Sequence, residues 1–119
     1  MRRDLAVYLV DIQQCLDELA LFSSGKQFSD YQADALLRRA VEREFSIIGE
    51  VMRRTLHHFP ETQSRIESAR SIADFRNVIV HEYNTLDDAK IWNIVIHSAP
   101  VLKRQIDEWI LELDGASQP

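Results

Sequence analysis

The chain has 119 residues, of which 45% are hydrophobic, and it contains only 3 Gly and 3 Pro. This length fits one domain with a true hydrophobic core, and this composition excludes a disordered chain and a turn-rich β protein. The net charge of −5 at pH 7 disfavours a general nucleic-acid-binding protein, although basic residues outnumber acidic residues between positions 38 and 81.

The cysteine count and the hydropathy pattern indicate the compartment. Cys15 is the only cysteine, which excludes an intramolecular disulfide and indicates a reducing environment. Because it lies in an apolar helical stripe, we interpret it as a small core residue and not as a nucleophile. Polar residues interrupt the apolar residues near the N-terminus, so we expect no secretory or transmembrane segment and a cytoplasmic protein.

The first half of the chain predicts two long helices. Apolar residues at spacings of three and four place the first helix from about Arg2 to Phe22. The second begins with a capping box at Ser29–Gln32 and continues for about thirty residues to Phe59, where Pro60 forbids extension. Such a long helix suits a bundle that also forms a subunit interface.

The second predicted helix carries one glycine and two basic clusters. Glycine at position 49 lowers helix stability by about 1 kcal/mol relative to alanine. We therefore expect another helix to approach its backbone closely, and Glu50 would then face the site. The clusters consist of Arg38, Arg39 and Arg43, and of Arg53, Arg54, His57 and His58. Each is either a solvated face with acidic partners at helical spacing or the wall of an RNA path.

The second half of the chain predicts further helices and no sheet. Residues 61–83 favour a short helix followed by a longer one, and a last helix begins with Thr85 or Asp87 as its N-cap. Pro100 should kink or break this last helix. The sequence therefore predicts an all-α antiparallel bundle of four to five helices, with one domain at residues 1–114 and a frayed tail at 115–119.

The octapeptide from Arg76 to Tyr83 concentrates the chemistry of the chain. It places a guanidinium, an amide, an imidazole and a phenol within about two helical turns. On a straight helix, Arg76 and His81 point about 140° apart. They can share a site if the helix ends near His81, or if a two-fold axis lets each site draw on both subunits. An extended backbone after Val80 would turn His81 and Tyr83 to the same side.

An arginine with a histidine suits metal-independent cleavage of RNA. Histidine can remove the proton of a ribose 2′-hydroxyl, and arginine can hold the phosphate and stabilise its developing charge. The spacing alone is a weak signal, because a single arginine is usually a surface charge and a single histidine is usually structural. Neither a phosphate-binding glycine loop nor a plausible metal-ligand spacing is present in the sequence, so we expect no metal and no cofactor.

The Arg-x4-His-x-Tyr signature in this helical setting resembles that of the HepT-like toxins of the HEPN superfamily. The similarity covers nearly the whole chain, through the segments 39–43, 47–50, 75–83, 91–92 and 100–102. It implies a homodimer with an RNA cleft at the subunit interface, in which Arg76 and His81 are catalytic and Asn77 orients the site. It also implies a toxin–antitoxin pair, in which an MntA-type nucleotidyltransferase antitoxin transfers AMP to Tyr83.

Two other functions stay open at the level of the sequence. The chain could be a non-catalytic subunit that binds nucleotide or substrate for a nucleotidyltransferase, or a helical dimer that serves only as an interaction scaffold. Specific ATP binding without RNA cleavage would favour the first. An unchanged phenotype of Arg76→Ala would favour the second.

Overall fold

The computed structural model describes residues 3–116, and most of them are helical. They form seven α-helices: α1 Arg3–Ser23, α2 Phe28–Ala33, α3 Ala35–His58, α4 Thr62–Arg65, α5 Ala69–His81, α6 Asp88–Asn93 and α7 Ala99–Ala116. A 3₁₀ turn, Tyr83–Thr85, follows α5, and a π-helical segment, Ile94–Ser98, joins α6 to α7. No strand occurs between residues 3 and 116, so the prediction of an all-α fold is confirmed.

The bundle is organised around α3, which packs along both α1 and α5, while α1 packs in turn against α7. The apolar stripes of these helices meet in one core. Its fully buried members include Leu5, Leu9, Ile12, Val41, Ile48, Met52 and Ile106. None of the helices described here is long and apolar enough to cross a lipid bilayer.

The prediction of one continuous second helix is wrong near its start. A break at Asp34 separates α2 from α3, where the backbone is extended (φ −114°, ψ 99°) and the carboxylate accepts the Leu37 N–H at 3.1 Å. Asp34 thus caps α3, because its short side chain competes for a backbone donor that a continuous helix would use. The predicted capping box at Ser29 is also wrong, since α2 begins after Gln27, whose N–H donates to Asp30 Oδ2 at 2.8 Å.

The helices of the second half follow the prediction. A short α4 and a longer α5 occupy residues 61–83. The N-cap of α6 is Asp87 and not Thr85, because the Asp87 carboxylate accepts the N–H groups of Ala89 at 3.0 Å and Lys90 at 3.2 Å. These bonds satisfy backbone donors that have no partner within the helix.

The break expected near Pro100 is the π-helical segment. Proline has no N–H to donate to the carbonyl four residues earlier, which belongs to Ile96 inside this segment, so the regular hydrogen-bond pattern cannot continue there. The last helix, α7, runs to Ala116, two residues past the predicted end of the domain. Arg2, the predicted start of the first helix, and residues 117–119 of the predicted tail lie outside the described residues.

Cys15 is buried at the contact between α1 and α3, as predicted for a core residue. Burial, followed by the nearby Glu44, raises the pKa of its thiol to about 12, so the reactive thiolate is not formed at neutral pH. Burial and the neighbouring Glu18 raise the pKa of Glu44 to about 8. Glu44 is therefore mostly protonated at neutral pH, in a place where its negative charge would be poorly solvated.

Candidate functional site

The residues that the sequence singled out lie on α5 and the turn that follows it. Ala69, Ala73 and Ile79 are buried and fix the orientation of α5 on the bundle. Asn77 and His81 are exposed. The helix therefore buries one face in the core and presents polar side chains of the octapeptide to solvent.

The helix α5 ends at His81, because Glu82 leaves the helical conformation (φ −120°, ψ 25°) and its N–H donates to the Val78 carbonyl at 2.9 Å. Tyr83 begins the 3₁₀ turn directly afterwards. The prediction of a helix end near His81 is confirmed, and the alternative of an extended backbone after Val80 is wrong. The side chain of Tyr83 lies outside the part of the chain that the structure describes.

Arg76 and His81 do not share a face of α5. Both lie within the regular helix, so their side chains leave its axis about 140° apart. Arg76 contacts α3, where its Nε lies 3.5 Å from Glu50 Oε2, whereas His81 is exposed at the C-terminal end of α5. One copy of the chain therefore brings Arg76 to Glu50 and leaves His81 on another side of the helix.

Gly49 explains the close packing of α3 against α5. A Cβ built at Gly49 would lie 2.7 Å from the Arg76 Cβ and 3.2 Å from the Ile72 carbonyl oxygen. The first distance is shorter than real Cβ contacts allow, so only glycine fits without a shift of the backbone. The predicted close approach at Gly49 is confirmed, and Glu50, the next residue, contacts Arg76.

Glu50 joins three arginines into one group, which we call the Glu50 cluster: Glu50, Arg53, Arg54 and Arg76. Arg53 Nη2 donates to Glu50 Oε1 at 2.7 Å and Arg53 Nε to Oε2 at 3.3 Å, while Arg54 Nε donates to Oε1 at 3.3 Å. The hydrogen bond from Arg53 is the main reason that the pKa of the Glu50 carboxyl lies below its ordinary value. Three guanidinium groups around one carboxylate leave this surface positively charged, although the chain as a whole is acidic.

The two basic clusters of α3 thus have different surroundings. In the first, Arg39 pairs with Glu42 at 3.0 Å, and Arg38 donates to backbone carbonyls of α2, as expected of a solvated face. In the second, Arg53 and Arg54 belong to the Glu50 cluster. The predicted site did not include these two arginines. Their spacing of three and four residues from Glu50 is the sequence signal that could have linked them to it.

Comparison with known proteins agrees with the resemblance carried by the octapeptide. The family described as ribonuclease HepT-like matches residues 12–109. The chain belongs to this family. A relative from Thermococcus cleftensis named "Probable ribonuclease HepT" is 28% identical over 108 residues, which cover 91% of this chain and 97% of the relative.

Further relatives of the HepT-like chain are named as RNases. The name "Putative RNase" belongs to one from Caldanaerobacter subterraneus, 32% identical over 101 residues that cover 85% of this chain and 89% of the relative. The same name belongs to a relative from Methanocaldococcus jannaschii. It is 26% identical over 106 residues, which cover 89% of this chain and 96% of the relative. No solved structure shows a significant match.

An open apolar cavity of about 510 Å³ lies away from these residues in the HepT-like chain. It is formed by α3, α5 and the π segment with α7, and its lining includes Phe45, Phe75 and His97. Neither Arg76, Asn77 nor His81 lines it, and among the described residues it contains no arginine or lysine. Across residues 3–116, no group of three or more His, Cys, Asp or Glu side chains is arranged to hold a metal ion.

Proposed function

We propose that this HepT-like chain is the toxin of a toxin–antitoxin pair, a metal-independent endoribonuclease that acts as a homodimer in the cytoplasm. Membership of a ribonuclease family supports RNA as the substrate. The observation that carries the proposal is the placement of an arginine and a histidine, the two candidate catalytic groups, on one helix. Arg76 belongs to a positively charged cluster, and His81 is exposed at the end of the same helix.

In the proposed reaction, His81 removes the proton of a ribose 2′-hydroxyl, and the 2′-oxygen attacks the adjacent phosphorus. The bond from phosphorus to the 5′-oxygen breaks, and the leaving oxygen takes up a proton, which gives a 2′,3′-cyclic phosphate and a 5′-hydroxyl. Arg76 binds the phosphate and stabilises the charge that develops on it. Asn77, exposed beside Arg76 on α5, orients the site. Imidazole suits this work because it exchanges protons near neutral pH.

A second copy of the chain completes the proposed site. Within one copy, Arg76 and His81 leave α5 on different sides, so they do not converge on one phosphate. A two-fold axis beside α5 would place Arg76 of one subunit opposite His81 of the other, and the RNA would lie in the groove between them. DNA would be spared, because it lacks the 2′-hydroxyl that acts as the nucleophile.

An MntA-type nucleotidyltransferase antitoxin would silence this activity by modification. The Tyr83 hydroxyl attacks the α-phosphate of ATP, gives up its proton, and becomes linked to AMP while pyrophosphate leaves. The new phosphate brings negative charge and a nucleotide-sized obstacle two residues after His81. It would compete with RNA for the guanidinium of Arg76.

Cleavage of total RNA by the purified protein in the presence of EDTA tests the proposal. Arg76→Ala and His81→Ala should each lose about 100-fold in rate or more. His97→Ala is the matched control, because this exposed histidine lines the apolar cavity instead, and it should cleave as the wild type does. Full activity in His81→Ala would contradict the assigned role, and inhibition by EDTA would contradict a metal-independent reaction.

The alternative of a nucleotide-binding subunit fits the structure less well. The apolar cavity is large enough for a small ligand, yet among the described residues its lining offers no guanidinium or ammonium group to bind a triphosphate. ATP titration followed by calorimetry separates the two functions. Specific ATP binding together with an absence of RNA cleavage would replace the ribonuclease with this alternative.

A further inference from the structure

Glu50 has no role in the reaction described above, yet it contacts the arginine on which that reaction depends. Its Oε2 lies 3.5 Å from Arg76 Nε, and the two side chains are 28% and 39% exposed. The contact therefore lies at the surface, where a substrate phosphate can reach the arginine. A charged contact in this place acts on the geometry of the guanidinium more than on the stability of the bundle, because exposed ion pairs contribute little to folding.

The geometry of this contact leaves part of the guanidinium available. Glu50 is paired with Nε, and a guanidinium has two further nitrogens at its tip that can each donate to a phosphate oxygen. An arginine held through Nε can thus still bind a phosphate with two parallel hydrogen bonds. Without such a partner, the long side chain would sample many rotamers and lose entropy each time it bound RNA.

Glu50 is itself fixed in position. Arg53 donates to both of its carboxylate oxygens, at 2.7 Å and 3.3 Å, and Arg54 donates to one of them at 3.3 Å. Because Gly49 lets the backbone of α5 approach α3 closely, the base of the Arg76 side chain is fixed relative to the same helix. Both ends of this arginine are therefore constrained by α3.

We propose that Glu50 is the positioning residue of the ribonuclease site, which holds the guanidinium of Arg76 in the orientation that binds the scissile phosphate. Arg53 and Arg54 hold the carboxylate in place for this task and offset its negative charge. This inference rests on the proposed ribonuclease function and concerns the same site.

A positioning role and a purely electrostatic role predict opposite effects of Glu50→Gln. The substitution removes one negative charge from a surface that binds RNA, so on electrostatic grounds alone it should strengthen RNA binding and speed cleavage. If Glu50 orients Arg76, the misplaced guanidinium should lower kcat by about 10- to 100-fold, while KM stays the same or falls. The division of the effect between kcat and KM therefore separates the two roles.

The test measures kcat and KM on a short RNA substrate for the wild type, Glu50→Gln and Glu42→Gln. Glu42 is the matched control, because it lies on the same helix and also pairs with an arginine one helical turn away: Arg39, three residues earlier, where Glu50 pairs with Arg53, three residues later. Glu42→Gln should keep the wild-type kcat, and melting temperatures of all variants should agree with that of the wild type. A wild-type or increased kcat in Glu50→Gln would overturn the inference.

A double variant keeps the test decisive if Glu50→Gln changes stability. If Glu50 acts through Arg76, its removal should not lower kcat further once that arginine is impaired. Glu50→Gln combined with Arg76→Lys should therefore be no slower than Arg76→Lys alone. If each substitution lowered kcat independently, so that the two effects multiplied in the double variant, the inference would be contradicted. Failure of the wild type to cleave RNA, or full activity of Arg76→Ala, would instead overturn the ribonuclease function itself.

Discussion

Gly49 and Arg76 lie so close together that a methyl group on the glycine would come within 2.7 Å of the arginine Cβ. The point where α3 crosses α5 is thus also the point where the candidate catalytic arginine begins. Packing of the bundle and geometry of the site depend on the same contact, and a substitution here should affect both.

Gly49→Ala should lower the stability of the protein and its RNA cleavage together. Alanine favours a helix by about 1 kcal/mol over glycine, but the added methyl group must push α5 away, at a cost of about 1–3 kcal/mol. Urea denaturation and RNA cleavage measure the two effects. Gly115→Ala is the control, since nothing lies within 4 Å of a Cβ at that position; it should not be destabilised. A stabilised and fully active Gly49→Ala would show that the contact is not restrictive.

The proposed composite site predicts that two inactive variants restore activity when they assemble together. In a mixed dimer of Arg76→Ala and His81→Ala, one site has lost both groups, and the other keeps an intact arginine from one subunit and an intact histidine from the other. Random mixing should therefore recover about a quarter of the wild-type activity, because half of the dimers are mixed and each has one complete site.

Refolding the two variants together from denaturant and assaying RNA cleavage provides this measurement. Each variant refolded alone is the control and should remain inactive. If the mixture is as inactive as its components, Arg76 and His81 of one chain act together and the composite site is ruled out.

Modification at Tyr83 should be visible as added mass. Coexpression with the nucleotidyltransferase should add AMP groups to the wild type, as measured by intact mass spectrometry, and none to Tyr83→Phe. Tyr83→Phe should cleave RNA as the wild type does and resist silencing, because it lacks the oxygen that accepts AMP. Tyr8→Phe is the control, since Tyr8 is partly exposed and stacks on His58, whereas Tyr31 is fully buried. Silencing of Tyr83→Phe to the wild-type extent would exclude this switch.

Glu44 should make the bundle less stable as the pH rises. Its pKa is about 8 in the folded protein and 4.5 in the unfolded chain, so between these values the folded state holds more protons. Stability therefore falls across this window, by at most about 1.4 kcal/mol per pH unit. The charged groups that act on it are Glu18 on α1 and Arg43 on its own helix.

Urea denaturation at several values between pH 5 and pH 8 measures this effect. Glu44→Gln removes the titrating group and keeps the size of the side chain, so its stability should vary less with pH than that of the wild type. Equal pH dependence of the two proteins would mean that Glu44 does not titrate in this window.

Local sequence rules predicted much of the fold. The 3.6-residue period placed the core faces of α1, α3, α5 and α7, because helix periodicity is a property of neighbouring residues. The same rules failed at Asp34, where one continuous helix was predicted and the chain breaks between α2 and α3. An aspartate is compatible with a helix interior and with an N-cap, and its choice between the two depends on the tertiary path of α2.

The sequence by itself determined the chemistry of the candidate site: the arginine, the asparagine, the histidine and the tyrosine lie on one octapeptide, in a pattern that matches a family. The tertiary structure decided which of these side chains contact residues from other parts of the chain. Only the crossing of α3 over α5 at Gly49 brings Glu50 to Arg76, because these residues are distant in the chain and their contact depends on how closely two helices pack. Helical spacing likewise separates Arg76 from His81 within one copy, so in the proposed composite site they meet only across a second copy.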